Sequence, residues 1–140
     1  PVICSAATLT HAISDYQCLI PWLRMNDPRH IPSRVIPWFD RWFMLKTRGE
    51  LTLVVLTIVG GYIACRSTSG WPRLMYLYGT LFASCHLIIA PDIGRCVRKI
   101  VDNQMDTRGP LRLFLRRHTF RILAVDIPAF LCFLEAFRHA

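Results

Sequence analysis

The chain has 140 residues, 53% of them hydrophobic and 19% charged, with a formal net charge of +8. That length provides for a single domain, and a mean hydropathy of +0.33 is high for a water-soluble one. A pI near 9.7 suits nucleic acid, but the basic residues gather between apolar stretches instead of striping a helix face, as in membrane loops, so nucleic acid is set aside as a partner.

Four apolar stretches predict an all-α fold, an integral membrane four-helix bundle spanning residues 1–140 as one domain. The first, residues 1–20, is interrupted by His11, Asp15 and Gln17 and closes at Pro21 and Trp22. The chain starts at Pro1, and the true N-terminus is expected upstream. From Arg24 to Arg48 the sequence is basic and proline-rich (Pro28, Pro32, Pro37), with Trp38, Phe39, Trp42 and Phe43 interleaved. This predicts a loop with a short helix lying in the membrane interface.

The second stretch, 50–65, and the third, 72–90, are joined by a tight turn containing Gly70, which makes them antiparallel neighbours. Gly60-Gly61 sits in the second, where small residues let helices approach. Tyr62, Tyr76 and Tyr78 read as interface-belt residues. Pro91, Asp92 and Gly94 close the third stretch, a basic loop from Arg95 to Arg117 follows, and the fourth stretch covers 113–137. Each is at or slightly below the roughly 20 residues that cross a bilayer.

Positive residues concentrate in the first and third loops, which places those loops of a multi-pass protein in the cytoplasm; the endoplasmic reticulum or another internal membrane is the expected location. Cys4, Cys18, Cys65, Cys85, Cys96 and Cys132 include no CxxC pair and read as small apolar fillers.

The ionisable residues inside the stretches carry the functional signal, because a charge in hydrocarbon must be paired or wetted and usually faces a bundle interior. With this topology Asp15, His86 and Asp126 each lie five residues from a cytoplasmic boundary, about 7 Å deep at 1.5 Å per residue. Glu50 and Arg48 stand just above that level, His11 one turn below Asp15, and His118 and Arg121 form a roof. Polar glue between helices is the plainest reading. Acid-base catalysis is the second, since burial displaces the ionisation of carboxyls and imidazoles. A zinc or non-haem iron set of His11, Asp15, His86 and Asp126 is a third, although no metal is expected. No glycine-rich phosphate loop, nucleophile elbow or dinucleotide fingerprint is present.

The order of short motifs resembles the anthrone oxygenase-like family of small four-helix membrane proteins. The motifs are Ile20-Pro21 closing the first helix, Arg48-Gly49 opening the second, and Trp71, Tyr78 and Gly79 in the third. Pro91 ends the third, and Arg121 enters the last, with His118 where the family has asparagine. Asp92-Ile93 replaces the usual Thr-Asn, and Asp15, His86 and Asp126 have no counterpart in that pattern.

The resemblance implies secondary-metabolite (polyketide) biosynthesis, in which a cofactor-free monooxygenase oxidises an anthrone with dioxygen as co-substrate. On that reading His86 is the base, Asp126 or Asp15 orients it, and Arg121 and Arg48 hold the anion, while His11, Glu50, His118 and Trp42 contact substrate. A non-redox cyclase, isomerase or epoxide opener is the alternative, with Asp126 or Asp15 donating a proton and His86 accepting one. A non-enzymatic membrane subunit docking through the first loop is another. Expected partners are an apolar small molecule and the lipid bilayer, with a second copy of the chain left open.

Overall fold

The computed structural model describes residues 1–24, 30–102 and 108–140, with the backbone alone for 30–35. It is all-α: α1 (Val2–Arg24), α2 (His30–Ser67), α3 (Gly70–Asp102), α4 (Arg108–Arg121), a π-helical turn (Ile122–Asp126) and α5 (Ile127–His139). Taken as one rod, α4, the π turn and α5 bring the number of helices to four. α1 packs on α2 and on the last rod, α2 on α3, and α3 on the last rod, which closes a ring.

The helices are longer than the apolar stretches. Residues 30–49 form neither a loop nor a separate interfacial helix; they are the first half of α2. Pro28 and Arg29 of the expected loop lie outside the described residues, as do the side chains of Pro32 and Arg34. α3 likewise continues through Pro91 to Asp102. An internal proline costs a helix about 3 kcal/mol, but Ile93, Cys96, Val97 and Ile100 beyond it are all buried, and apolar burial of one helix face outweighs that local preference. Arg108-Gly109-Pro110, within the expected basic loop, is the first turn of α4, where proline is tolerated.

Between α2 and α3 the chain reverses at Thr68 and Ser69. Gly70 adopts φ +64°, a left-handed conformation that glycine accepts without steric penalty. Thr68 Oγ1 donates to Ala64 O at 2.8 Å and Ser67 Oγ to Ile63 O at 3.0 Å, covering carbonyls that the end of α2 leaves open.

Two apolar cores fill the ring. Leu19, Phe39, Ile93, Cys96, Val97, Ile100, Leu111, Phe114 and Leu115 form the one toward the α2 N-terminus and α3 C-terminus. Tyr76, Ala83, Ala129, Phe133 and Ala136 form the other. Tyr76 is thus a core residue, not part of an interface belt, whereas Tyr62 and Tyr78 are exposed. Phe133, fully buried, wedges against the glycines of α2 and α3: a Cβ at Gly79 would lie 2.8 Å from its ring and one at Gly61 2.9 Å. These glycines set the close approach of the two helices.

Candidate functional site

A layer of ionisable side chains separates the two cores. From α1 comes Asp15, from α2 Lys46 and Glu50, from α3 His86, from α4 His118 and Arg121, and from the π turn Asp126. Asp15, His86, His118, Arg121 and Asp126 are all buried, and the Lys46 and Glu50 side chains are nearly so. Helical spacing explains the α2 contribution: Phe43, Lys46, Thr47 and Glu50 recur at three- and four-residue steps and so share one face.

The π turn places Asp126. Proline at 128 has no N–H and its ring would press on the carbonyl four residues back. The chain accommodates this with one wider turn, in which Ile127 N–H bonds Ile122 O. Such bulges shift side chains relative to a regular helix and are frequent at functional sites.

The layer divides into two linked clusters. In the first, Arg121 Nη2 lies 2.7 Å from Glu50 Oε1 and Arg121 Nε 3.2 Å from Asp126 Oδ2. His86 Nδ1 lies 3.3 Å from Asp126 Oδ1, while His86 Nε2 lies 3.5 Å from Arg121 Nη1 and 3.7 Å from Glu50 Oε1. In the second, Lys46 is ion-paired with Asp15 Oδ1, and the Asp15 Oδ2 is 3.1 Å from His118 Nε2. His118 Nε2–H also donates to Ala12 O at 2.9 Å. Phe114 stacks on the His118 ring, with centroids 5.6 Å apart and planes 11° apart. Tyr16 OH hydrogen-bonds Thr119 beside it.

Three carboxylates (Asp15, Glu50, Asp126) face two permanent cations (Lys46, Arg121), which leaves one negative charge if both imidazoles are neutral. Uncompensated charge in a low-dielectric interior is costly, so the layer favours holding one further proton. Arg121 is already bound by two carboxylates, so it is not a free cation.

Both clusters meet a cavity of about 60 Å³. Its polar wall is Asp15, Glu50, His86, His118 and Arg121, and its apolar wall includes Phe43, Leu51, Ile93 and Phe114. Among the lining residues Thr47, Leu51 and Ala90 are exposed, so the mouth opens between α2 and α3. On the other side of the His86–Asp126 pair is a second space of about 10 Å³ lined by Ser5, Thr8 and Thr57, the size of a single water.

Of the expected site residues, the structure brings together Asp15, Glu50, His86, His118, Arg121 and Asp126. It separates three others. Arg48 is exposed, because it lies two residues from Glu50 and so points to another face of α2. His11 is exposed on the outer side of α1, facing away from Ala12 and Asp15. Trp42 packs on Trp38 and Phe39 and lies under Lys46 Nζ, 5.2 Å from the ring, rather than lining the cavity. With His11 outside, the four-residue metal set dissolves, and among the described residues no three His, Cys, Asp or Glu side chains converge as a metal site. The six cysteines are free thiols.

Lys46 was missed. It reads as a loop cation when α2 is begun at Glu50, and becomes a partner for Asp15 only once the helix is extended back by a turn. Comparison with protein-family models, with curated proteins and with solved structures finds no match.

Proposed function

We propose that the chain is a membrane-embedded biosynthetic enzyme that performs proton-transfer chemistry on a flat, apolar small molecule, in the manner of a cofactor-free anthrone oxygenase. The observation that carries this reading is the layer of seven ionisable side chains, five of which (Asp15, Glu50, His86, His118 and Arg121) line a cavity whose other walls are aromatic and aliphatic. Buried polar groups poised at an apolar cleft are what general acid-base catalysis requires.

The membrane setting is supported by α2 and α3, which are long and apolar enough to cross a bilayer. Large apolar side chains also face outward on every helical rod, among them Ile3 at 84% exposure, Ile63 at 58%, Ile88 at 77% and Phe137 at 68%. Water would disfavour so much exposed apolar surface. At 1.5 Å per residue α2 and α3 are about 57 and 50 Å long, against a hydrocarbon core of about 30 Å. The bundle therefore projects on the basic side, and the polar layer lies near the boundary. The cavity mouth between α2 and α3 faces that boundary, where an apolar ring system enters edge first.

In the oxygenase reading a base takes the acidic ring proton, and the carbanion transfers electrons to dioxygen to give a carbon-bound peroxide. The peroxide takes the first proton back from the base, and loss of the second ring proton with cleavage of the O–O bond leaves a carbonyl and hydroxide, which that proton converts to water. The ring carbon is oxidised and dioxygen is reduced, with no other reductant. The charge balance of the layer favours a second reading. With Arg121 neutralised by Glu50 and Asp126, no spare cation holds a phenolate, and the further proton that the charge balance favours suits donation in a cyclisation, isomerisation or epoxide opening.

Purified protein in lipid nanodiscs, given a 1,8-dihydroxyanthrone, tests both. Oxygen uptake and quinone formation above the autoxidation rate support the oxygenase. Protein-dependent exchange of solvent deuterium into the substrate without oxygen uptake supports the non-redox enzyme. Neither response from this substrate or a panel of apolar phenols and epoxides refutes the enzymatic reading. Extraction of the protein from membranes by alkaline carbonate would refute its integral character.

A further inference from the structure

We infer that His118, rather than His86, is the proton acceptor of this site; the inference rests on the acid-base reading above. The two buried imidazoles are held in opposite tautomers, and the identity of their partners decides which. His118 Nε2 lies 2.9 Å from the Ala12 carbonyl oxygen, and a carbonyl can only accept, so this nitrogen carries the proton. The neutral ring then keeps its lone pair on Nδ1, which is buried with no hydrogen-bond partner among the described residues. His118 is 1% exposed and is one of the residues that line the cavity; Nδ1 itself is closed to water, so on this inference a substrate in the cavity is the partner that reaches it.

His86 has no such reserve. Its Nδ1 faces the Asp126 carboxylate, which accepts, and its Nε2 faces the Arg121 guanidinium, which only donates. In the neutral ring the lone pair is spent on Arg121. In the protonated ring both nitrogens donate, to Asp126 and to Glu50 at 3.7 Å. Neither state offers an acceptor to a substrate.

The second cluster also stabilises the product of proton transfer. When Nδ1 takes a proton, Asp15 Oδ2 at 3.1 Å faces the new imidazolium, and the Lys46–Asp15 pair, neutral beforehand, leaves one net positive charge next to the substrate anion. Asp15 and Lys46 are positioning residues, acting through His118, as a carboxylate fixes tautomer and orientation in other imidazole bases. The proton removed is that of a weakly acidic phenol or activated ring carbon whose apolar body lies against Phe43, Leu51 and Phe114.

Phenacyl bromide, a small apolar alkylating agent, tests this without knowledge of the substrate. An imidazole lone pair displaces bromide, forming an N–C bond as C–Br breaks, and peptide mass spectrometry locates the adduct in the nanodisc-embedded protein. The expected result is alkylation of His118 with His86 unmodified, and the exposed His11 and His139 report that the reagent is active. Alkylation of His86 instead, or of neither buried imidazole, overturns the assignment. ¹⁵N-histidine NMR of the same sample should show His118 in the Nε2–H form, assigned by loss of its signals in His118→Gln or, if that variant does not fold, by elimination with His86→Gln. An Nδ1–H His118 overturns it equally. Where a turnover assay exists, His118→Ala should lose about 100-fold or more in kcat with partial rescue by free imidazole. If wild-type protein turns over nothing while His118 is selectively alkylated, the enzymatic reading fails and the tautomer assignment stands.

Discussion

Replacing Arg121 with methionine removes the hub of the first cluster while keeping most of its side-chain volume. The guanidinium is 2.7 Å from Glu50, 3.2 Å from Asp126 and 3.5 Å from His86, and the residue is only 3% exposed. Its loss leaves two buried carboxylates with no cation between them. Breaking a buried pair by removing one partner costs about 3–5 kcal/mol, mostly from the orphaned charge. For a domain of this size about 3 °C accompanies each kcal/mol, so the melting temperature should fall by about 10 °C or more. Tryptophan fluorescence during heating in a fixed lipid or detergent environment reads this directly. Adding Glu50→Gln and Asp126→Asn to Arg121→Met should restore at least half of the loss, because neutral amides are far cheaper to bury than unpaired carboxylates. A fall below about 2 °C for the single variant would mean that the cluster is solvated like a surface ion pair. A triple variant no more stable than the single one would show that the loss comes from packing and not from charge.

Gly79→Ala should lower stability by about 1–3 kcal/mol through overpacking, since its Cβ meets the Phe133 ring at 2.8 Å; equal melting temperatures would contradict the close helix approach. Gly49→Ala, in the middle of α2 with nothing within 4 Å of the added Cβ, should instead stabilise by up to about 1 kcal/mol, and a loss would show strain at that position. Tyr16→Phe removes the hydroxyl that bonds Thr119 and should cost about 1 kcal/mol in the same thermal assay, whereas no change would indicate that water replaces the bond. Leu51→Trp or Ala90→Trp, at the exposed mouth of the cavity, should raise KM several-fold at unchanged melting temperature, and unaltered kinetics would move the mouth elsewhere.

Residue types and spacing carried much of this protein by themselves. Uninterrupted apolar runs longer than a strand required helices, and a short link with Gly70 required an antiparallel pair. Ionisable residues placed five positions from the boundaries of three runs identified Asp15, His86 and Asp126 as members of one layer, because helical rise converts sequence distance into depth. What sequence could not fix was where each helix ends and which way each side chain turns. Pro91 and the proline-rich run before Lys46 look like terminators, and only the burial of Phe39, Ile93 and Ile100 against neighbouring rods shows that tertiary packing carries the helices through them. Depth, moreover, is one coordinate and azimuth is another. His11, Arg48 and Trp42 lie near the right level, but a rotation of about 100° per residue turns them away from the cavity, while Lys46 is turned into it. The choice between the two imidazoles lies further still beyond sequence, since it depends on whether a carbonyl from α1 or a guanidinium from α4 faces each ring nitrogen, and those partners are 106 and 35 residues away along the chain.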